Sequence, residues 1–214
     1  MKIFIIGGAG YIGSHMVKIA HLAGHSVVTI DNLSTGHRDA VLHGEFENCD
    51  LLNSKKLDSL FKKYKPDAVM HFGAFSLVGE SMTEPNKYYQ NNVIGTLNLL
   101  NVMIENNCMK FVFSSSASVY GDPEYIPIDE RHPKKPINPY GKSKLMVEEI
   151  LKDFDAAYGL KFVSFRYFNA AGHDPDGELS ERHDPETHLL PNIVKAARVK
   201  NESVSIFGVE NDTK

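Results

Sequence analysis

The fold class is indicated by the segment Lys2-Ile3-Phe4-Ile5-Ile6-Gly7-Gly8-Ala9-Gly10-Tyr11-Ile12-Gly13. Its consecutive apolar residues predict a buried strand, and the glycines predict a tight turn directly before a helical pattern. Glycines placed in this way let a pyrophosphate approach the backbone and rest on the amides at the helix N-terminus. The stretch therefore predicts the phosphate-binding unit of a dinucleotide site.

The rest of the chain alternates between short β-branched runs and longer amphipathic stretches. This alternation predicts right-handed βαβ units and an α/β fold, a doubly wound parallel sheet covered by helices on both faces. A change to Gly, Asp, Pro and His after about residue 170 predicts that a second, smaller C-terminal region begins there, with domains at 1–170 and 171–214. Strands are predicted at 2–6, 26–30, 45–49, 68–72, 111–114, 161–165 and 203–207, and helices at 11–23, 54–64, 88–106, 139–158 and 188–199.

Asp31 ends the second predicted strand, 18 residues after Gly13. A carboxylate in this position accepts hydrogen bonds from ribose hydroxyls and repels a 2′-phosphate. The sequence therefore predicts NAD as the cofactor rather than NADP.

Tyr140 and Lys144 lie four residues apart at the start of a helix that Asn138 caps and Pro139 begins. One helical turn separates them, so both side chains face the same way. A phenol has an ordinary pKa near 10, and using it as a base near pH 7 requires a shift of ~3 units from nearby positive charge. The spacing predicts that Lys144 supplies part of that charge.

The serine run 114–116 ends a predicted central strand. In open parallel sheets, ligands bind beyond the carboxyl ends of the strands. A serine hydroxyl there can orient a substrate hydroxyl beside the Tyr140 phenol.

Composition and charge exclude several classes of partner. The chain has 214 residues and a net charge of −4, so it lacks the broad cationic field that nucleic acid or an anionic membrane would attract. The apolar run at residues 3–6 is too short for a signal peptide or a membrane span. We therefore expect a cytoplasmic protein with no nucleic acid and no membrane partner.

Further motifs accompany these three, namely His71-Phe72-Gly73-Ala74, Tyr88-Tyr89-Gln90-Asn91-Asn92-Val93 and Arg166-Tyr167-Phe168-Asn169. Together they make the chain resemble the extended short-chain dehydrogenase/reductase family, whose members have a Rossmann fold. Within it, the chain is similar to the NAD-dependent isomerases that epimerise UDP-hexoses at C4. The resemblance implies a homodimer, formed through the helices at 88–106 and 139–158.

The resemblance also implies residue roles. Tyr140 would remove the proton of the sugar 4-hydroxyl, Lys144 would lower the pKa of that tyrosine and hold the nicotinamide ribose, and Ser116 would bind the same sugar oxygen. The substrate would further contact Asn169, Leu189, Ser205 and Phe207. The implied cofactor contacts are Gly7, Gly10, Tyr11, Ile12, Gly13, Asp31, Asn32, Leu33, Ser34, Thr35, Gly36, Asp50, Leu51, Phe72, Gly73, Ala74, Asn91, Ser114, Tyr140, Lys144, Tyr167 and Phe168.

One related activity is disfavoured and two alternatives stay open. Nucleotide-sugar dehydratases of this family carry an acidic pair where this chain has Ala117 and Ser118, which disfavours them. Decarboxylases and epimerases for UDP-pentoses, uronates or N-acetylhexosamines fit the same motifs. Because family members continue well past the equivalent of Phe207, an NAD-binding module without turnover is a further alternative.

The residues His183, Asp184, Glu186 and His188 combine metal-ligand types in one short segment. Their loop context and the metal-free chemistry implied by the resemblance predict a solvated loop. We expect no metal.

Overall fold

A computed structural model describes residues 1–184, 186, 188–198 and 203. Its centre is one six-stranded sheet in the order β3-β2-β1-β4-β5-β6, with all neighbouring strands parallel. The predicted α/β class with a doubly wound parallel sheet is confirmed. The strands are β1 Lys2–Ile6, β2 Ser26–Asp31, β3 Glu45–Asn48, β4 Ala68–His71, β5 Lys110–Ser116 and β6 Lys161–Tyr167.

Helices connect the strands, and most begin and end within two residues of the predicted bounds. Arg38–Ala40 and Ala117–Val119 add short 3₁₀ turns, and Val78–Thr83 is a helix that the sequence pattern did not predict. The helices are α1 Tyr11–Leu22, α2 Ser54–Tyr64, α3 Val78–Thr83, α4 Pro85–Tyr88, α5 Thr96–Glu105, α6 Pro139–Tyr158 and α7 Leu189–Arg198.

Alternate side chains of β1 enter two different hydrophobic clusters. Phe4 and Ile6 belong to the larger cluster, with side chains of α2, α5 and α6, whereas Ile3 and Ile5 pack with Val17 of α1. This period of two is what a strand buried on both faces requires. Because β1 is buried on both faces, it holds the glycine turn that follows it in a fixed position at the carboxyl end of the sheet.

The predicted helix at 88–106 is not a regular α-helix. A π-helical turn, Tyr89–Gly95, separates α4 from α5. The buried side chain of Asn92 lies in this turn and binds the backbone of Phe75 through both its oxygen and its nitrogen, each at 3.0 Å. Because a π-turn inserts an extra residue, it redirects side chains that a regular helix would aim elsewhere.

The segment after β6 returns to helix α1. Lys18 of that helix is buried, and its ammonium group contacts Asp174 at 2.9 Å, Asp176 at 2.6 Å and Glu178 at 2.8 Å. The Tyr11 hydroxyl donates to the Gly172 carbonyl at 2.7 Å. These contacts hold residues 172–178 against the helix that follows the glycine turn.

Among the residues that the structure describes, no helix has the length and apolar character needed to cross a membrane. The predicted strand at 203–207, including Ser205 and Phe207, lies outside the described residues, except for Ser203.

Candidate active site

The glycine turn joins β1 to α1 in a conformation that needs its glycines. Gly7 has a φ of +74°, in the left-handed region that favours glycine. A Cβ on Gly13 would overlap the Gly7 carbonyl, and a Cβ on Gly7 would overlap the backbone of Gly73 at the end of β4. Gly10 caps α1 without a side chain, so the first amides of the helix are available to an anion.

Asp31 lies at the carboxyl end of β2, beside this turn. Its carboxylate accepts hydrogen bonds from the Ala9 amide at 3.0 Å and from the Leu33 amide at 2.8 Å. Burial raises the pKa of the carboxyl, and these two hydrogen bonds oppose the rise. The carboxylate thus anchors the glycine turn as well as ending the strand, a second role that the sequence did not suggest.

The loop after Asp31 packs onto the glycine turn and onto the next strand. The His37 amide donates to the Ala9 carbonyl at 2.9 Å, and Gly36 approaches Ala9 so closely that a Cβ would clash. Asn32 donates to Asp50 at 2.7 Å. The predicted cofactor residues 31–36 and 50–51 therefore lie together at one edge of the sheet.

The carboxyl end of β4 lies next to β5, between the glycine turn and the serine run. His71 is fully buried, and its Nε2 contacts the Thr96 hydroxyl at 2.9 Å. Burial, followed by the charge of Lys144, lowers the pKa of His71 to about 3, so the imidazole is neutral at neutral pH. Asn92 binds the loop that follows Gly73 and Ala74, and its neighbour Asn91 donates to it at 2.9 Å.

Ser116, Tyr140 and Lys144 meet at the carboxyl end of β5. Asn138 accepts a hydrogen bond from the Gly141 amide at 2.8 Å, which confirms the predicted cap of α6. The Lys144 Nζ atom lies 5.8 Å from the centre of the Tyr140 ring and donates to the Ser114 carbonyl at 2.8 Å. The Ser116 hydroxyl accepts a hydrogen bond from the Ser118 amide at 3.1 Å and acts on the Tyr140 phenol in the direction that lowers its pKa.

Burial dominates the electrostatics of this group. Burial raises the pKa of the Tyr140 phenol, and the hydrogen bond with Ser116 opposes that rise. Burial also lowers the pKa of Lys144 to about 7. That Lys144 lowers the pKa of the phenol stays a prediction, because a lysine buried this deeply is only partly charged at neutral pH in the chain alone.

Sequence reasoning missed a buried ion pair directly beneath this group. Glu148 lies one turn beyond Lys144 on α6, and its carboxylate binds Arg166 of β6 at 2.7 Å. Glu148 also accepts from the Ser115 hydroxyl at 2.6 Å, and Arg166 donates to the Tyr120 hydroxyl at 2.7 Å. The repeated four-residue spacing from Tyr140 through Lys144 to Glu148 was the signal that could have revealed it.

Several predicted residues are not enclosed in this site. Phe168 and Leu189 are 61% and 56% exposed, and Asn169 is also exposed. Tyr167 ends β6 next to Ser116 and is half-buried. The described residues thus bring the cofactor and catalytic candidates together, and leave Asn169 and Leu189 at the surface.

The donor set and the shape of the turn fit a dinucleotide. The Gly7 and Gly13 positions have no room for a side chain, the α1 N-terminus lacks a side-chain cap, and the Asp31 carboxylate stands at the neighbouring strand end. All of these groups lie where the strand order reverses between β1 and β4, the usual place for a nucleotide in such sheets.

Known proteins show the same organisation. A UDP-glucose 4-epimerase from Streptococcus mutans is 50% identical over 216 residues, which are 100% of this chain and 65% of that protein. The crystal structure of the Brucella ovis UDP-glucose 4-epimerase in complex with NAD superposes with a TM-score of 0.90 at 49% identity, covering 92% of this chain and 60% of that one. The Bifidobacterium longum enzyme in complex with NAD+ and UDP gives 0.92 at 33% identity, covering 100% and 67%.

The chain also matches the model of a whole protein family. Residues 3–213 match the NAD dependent epimerase/dehydratase family. This chain therefore belongs to the NAD dependent epimerase/dehydratase family.

Proposed function

We propose that this chain carries the NAD-binding and catalytic part of a nucleotide-sugar 4-epimerase that interconverts UDP-glucose and UDP-galactose. The observation that supports this most is the meeting of Ser116, Tyr140 and a buried Lys144 at the end of β5. The glycine turn supplies a place for the cofactor beside them. Chemistry through a transient 4-keto sugar needs no net oxidation, because hydride is removed and returned within one cycle.

The glycine turn and its neighbours would hold NAD. Gly7, Gly10 and Gly13 leave the α1 amides open to the pyrophosphate, and Asp31 would accept the ribose hydroxyls. Bound NAD would supply a hydride acceptor at C4 of the sugar. The remaining proposed contacts are Tyr11, Ile12, Asn32, Leu33, Ser34, Thr35, Gly36, Asp50, Leu51, Phe72, Gly73, Ala74, Asn91, Ser114, Tyr167 and Phe168.

Three side chains would handle the proton of the sugar 4-hydroxyl. The Tyr140 phenolate would accept that proton at its oxygen, and the Ser116 hydroxyl would hold the same sugar oxygen in place. Lys144 would bind the nicotinamide ribose through Nζ. Because the pKa of the phenol is raised in the chain alone, we assign its lowering to the joint positive charge of Lys144 and an oxidised nicotinamide.

The substrate would be held partly by the region that follows β6. Asn169 and Leu189 are exposed in the structure and would contact the nucleotide-sugar, together with Ser205 and Phe207. We retain the division into a dinucleotide-binding domain at 1–170 and a partial nucleotide-sugar-binding region at 171–214. A cytoplasmic location stays a prediction.

A homodimer is part of the proposal. An apolar groove of about 440 Å³ runs along α6 and the π-turn, and Met146 on it is 45% exposed. A second copy of the same helices would cover it, since two like faces can pack as a four-helix bundle. The groove is lined by Val93, Pro136, Lys142, Leu145, Met146, Glu149 and Ile150.

One substrate panel tests the function against its alternatives. The purified chain is loaded with NAD and incubated separately with UDP-galactose, UDP-N-acetylgalactosamine and UDP-galacturonate, and the C4 epimers are resolved by chromatography. Fastest conversion of UDP-galactose supports the proposal, whereas preferential conversion of either other sugar assigns a sister activity. Retention of NAD with no conversion of any sugar leaves the binding module.

A further inference from the structure

Four metal-ligand side chains converge in the segment that leads to α7. Glu181, His183, Glu186 and His188 each offer one ligand atom, and these atoms all lie within 4.8 Å of one another. All four residues are half-buried. The sequence predicts a solvated loop here. Asp184 lies outside the group, and Glu181, which the sequence did not single out, lies inside it.

The nitrogen–oxygen distances in the group lie near the edge length of a small tetrahedron, with Glu186 contacting His183 through Oε2 and His188 through Oε1. Zinc–nitrogen and zinc–oxygen bonds of about 2.0–2.1 Å imply edges of roughly 3.3 Å in tetrahedral coordination. The His183 Nδ1 atom lies 3.1 Å from Glu181 and 3.6 Å from Glu186. The His188 Nδ1 atom lies 3.3 Å and 2.8 Å from the same two side chains.

The environment of His183 distinguishes this group from an ordinary hydrogen-bonded cluster. Its Nδ1 atom is buried and has no hydrogen-bond partner, although carboxylate oxygens lie nearby. Buried polar atoms of this kind normally have a partner. The nitrogen therefore faces the common centre of the group without a hydrogen bond to occupy it.

The charges in the segment also favour a cation. In the part of the chain that the structure describes, the ion pairs of Glu181 and Glu186 involve imidazoles and no lysine or arginine. Two carboxylates in one small group, with imidazoles as their charged partners, favour the binding of a positive ion between them.

We propose that Glu181, His183, Glu186 and His188 bind one zinc ion. Imidazole nitrogen with carboxylate oxygen suits Zn²⁺, whereas Mg²⁺ and Ca²⁺ prefer oxygen ligands alone. The ion is structural, since Ser116, Tyr140 and Lys144 are not among the ligand groups.

The position of the site explains what the ion does for the fold. His188 directly precedes α7, and its carbonyl accepts a hydrogen bond from the Asn192 amide at 3.3 Å. At the other side, the His183 ring lies 6.1 Å from the ring of Tyr11 in the glycine turn. Zinc therefore fixes the start of α7 relative to the turn that begins α1. The proposal concerns metal binding and is independent of which sugar the protein uses.

Zinc binding by the untagged chain tests this proposal directly. The chain is stripped with a chelator and titrated with ZnCl₂ in a calorimeter, and then with Co²⁺ under visible spectroscopy. We expect one equivalent of Zn²⁺ and the intense visible bands of tetrahedral Co²⁺. His183→Gln and Glu181→Gln should each weaken binding more than about 100-fold, since even outer-shell partners contribute about 10–100-fold.

Matched controls make the result decisive. Asp184→Asn removes a carboxylate from the same segment but outside the group, and should bind Zn²⁺ like the parent chain. Circular dichroism and a thermal scan of each variant establish that it folds. The proposal is overturned if the parent binds no zinc, if binding survives in the His183→Gln/His188→Gln double variant, or if Mg²⁺ binds as tightly as Zn²⁺.

Discussion

Glu148 and Arg166 form a buried bidentate ion pair, with Nε to Oε1 at 2.9 Å and Nη2 to Oε2 at 2.7 Å. The pair joins α6, which carries Tyr140 and Lys144, to the strand that neighbours β5. Burial alone would raise the pKa of the Glu148 carboxyl, but hydrogen bonds from Arg166 and Ser115 outweigh it and hold the pKa below its ordinary value. This ion pair fixes the helix of the candidate base against the sheet.

Glu148→Gln should strongly destabilise the chain. Removing one partner of a buried ion pair leaves the other charge uncompensated, which costs about 3–5 kcal/mol. Asp153→Asn is the matched control, because Asp153 is an exposed carboxylate on the same helix and does not line the apolar groove. Urea unfolding of both variants measures the difference. Equal free energies of unfolding would show that the ion pair has no special structural role.

Lys144 should make stability depend on pH between about 7 and 10. Its pKa in the fold is about 7, below the ordinary value of 10.5, so the unfolded chain binds more protons in this window. Stability therefore rises with pH there, by up to about 1.4 kcal/mol per pH unit, and the gain is lost as pH falls towards 7.

Unfolding measured at several pH values should show that Lys144→Met lacks this slope. Lys152→Met changes an exposed lysine on the same helix outside the apolar groove, and should retain it. An unchanged slope in Lys144→Met would mean that the buried amine keeps its ordinary pKa.

Gly13→Ala should abolish NAD binding while leaving most of the sheet intact. The added Cβ would overlap the Gly7 carbonyl, and backbone on both sides leaves no flexible group to move away. Gly79→Ala provides the control, because a Cβ there meets no atom within 4 Å. Fluorescence titration with NADH compares the two variants. Parent-like affinity in Gly13→Ala would place the dinucleotide elsewhere.

Met146→Glu should disrupt the proposed dimer. The charged side chain would lie in the apolar groove beside Ile150, where desolvating it is costly. Met82→Glu changes a methionine that is 61% exposed outside the groove. Sedimentation velocity should give a dimer for the parent and for Met82→Glu, and a monomer for Met146→Glu. A monomeric parent chain would contradict the dimer.

Much of the fold could be predicted because its signals are local. The strand, glycine turn and helix at the N-terminus follow from adjacent residues, and the later strands and helices follow from the same alternation. Asp31 could be placed at a strand end for the same reason. The structure confirms these elements to within a few residues.

The features that the sequence did not reveal depend on residues far apart in the chain. Lys18 binds Asp174 across 156 positions, and Asn92 binds Ser143 across 51. Neither of these contacts produces a repeating pattern of residues in the sequence. The π-turn places Asn92 where it binds Phe75 and Ser143, and it interrupts the regular helix. A search for a 3.6-residue period therefore could not predict this turn.

Burial also explains why spacing alone does not determine the pKa of the candidate base. Spacing places Lys144 one turn from Tyr140, but it does not tell how deeply either side chain is buried. In the folded chain, burial raises the pKa of the phenol and lowers that of the amine, both in the direction that removes charge.

The proposed role of Tyr140 as the base is tested by measuring how fast the NAD-loaded chain converts UDP-galactose to UDP-glucose. The same rate is measured for Tyr140→Phe. We expect the parent to form UDP-glucose and Tyr140→Phe, with NAD still bound, to be slower by about 10²–10⁴-fold, the usual contribution of a positioned acid–base group. No conversion by the NAD-loaded parent, or an equal rate in Tyr140→Phe, would contradict the account.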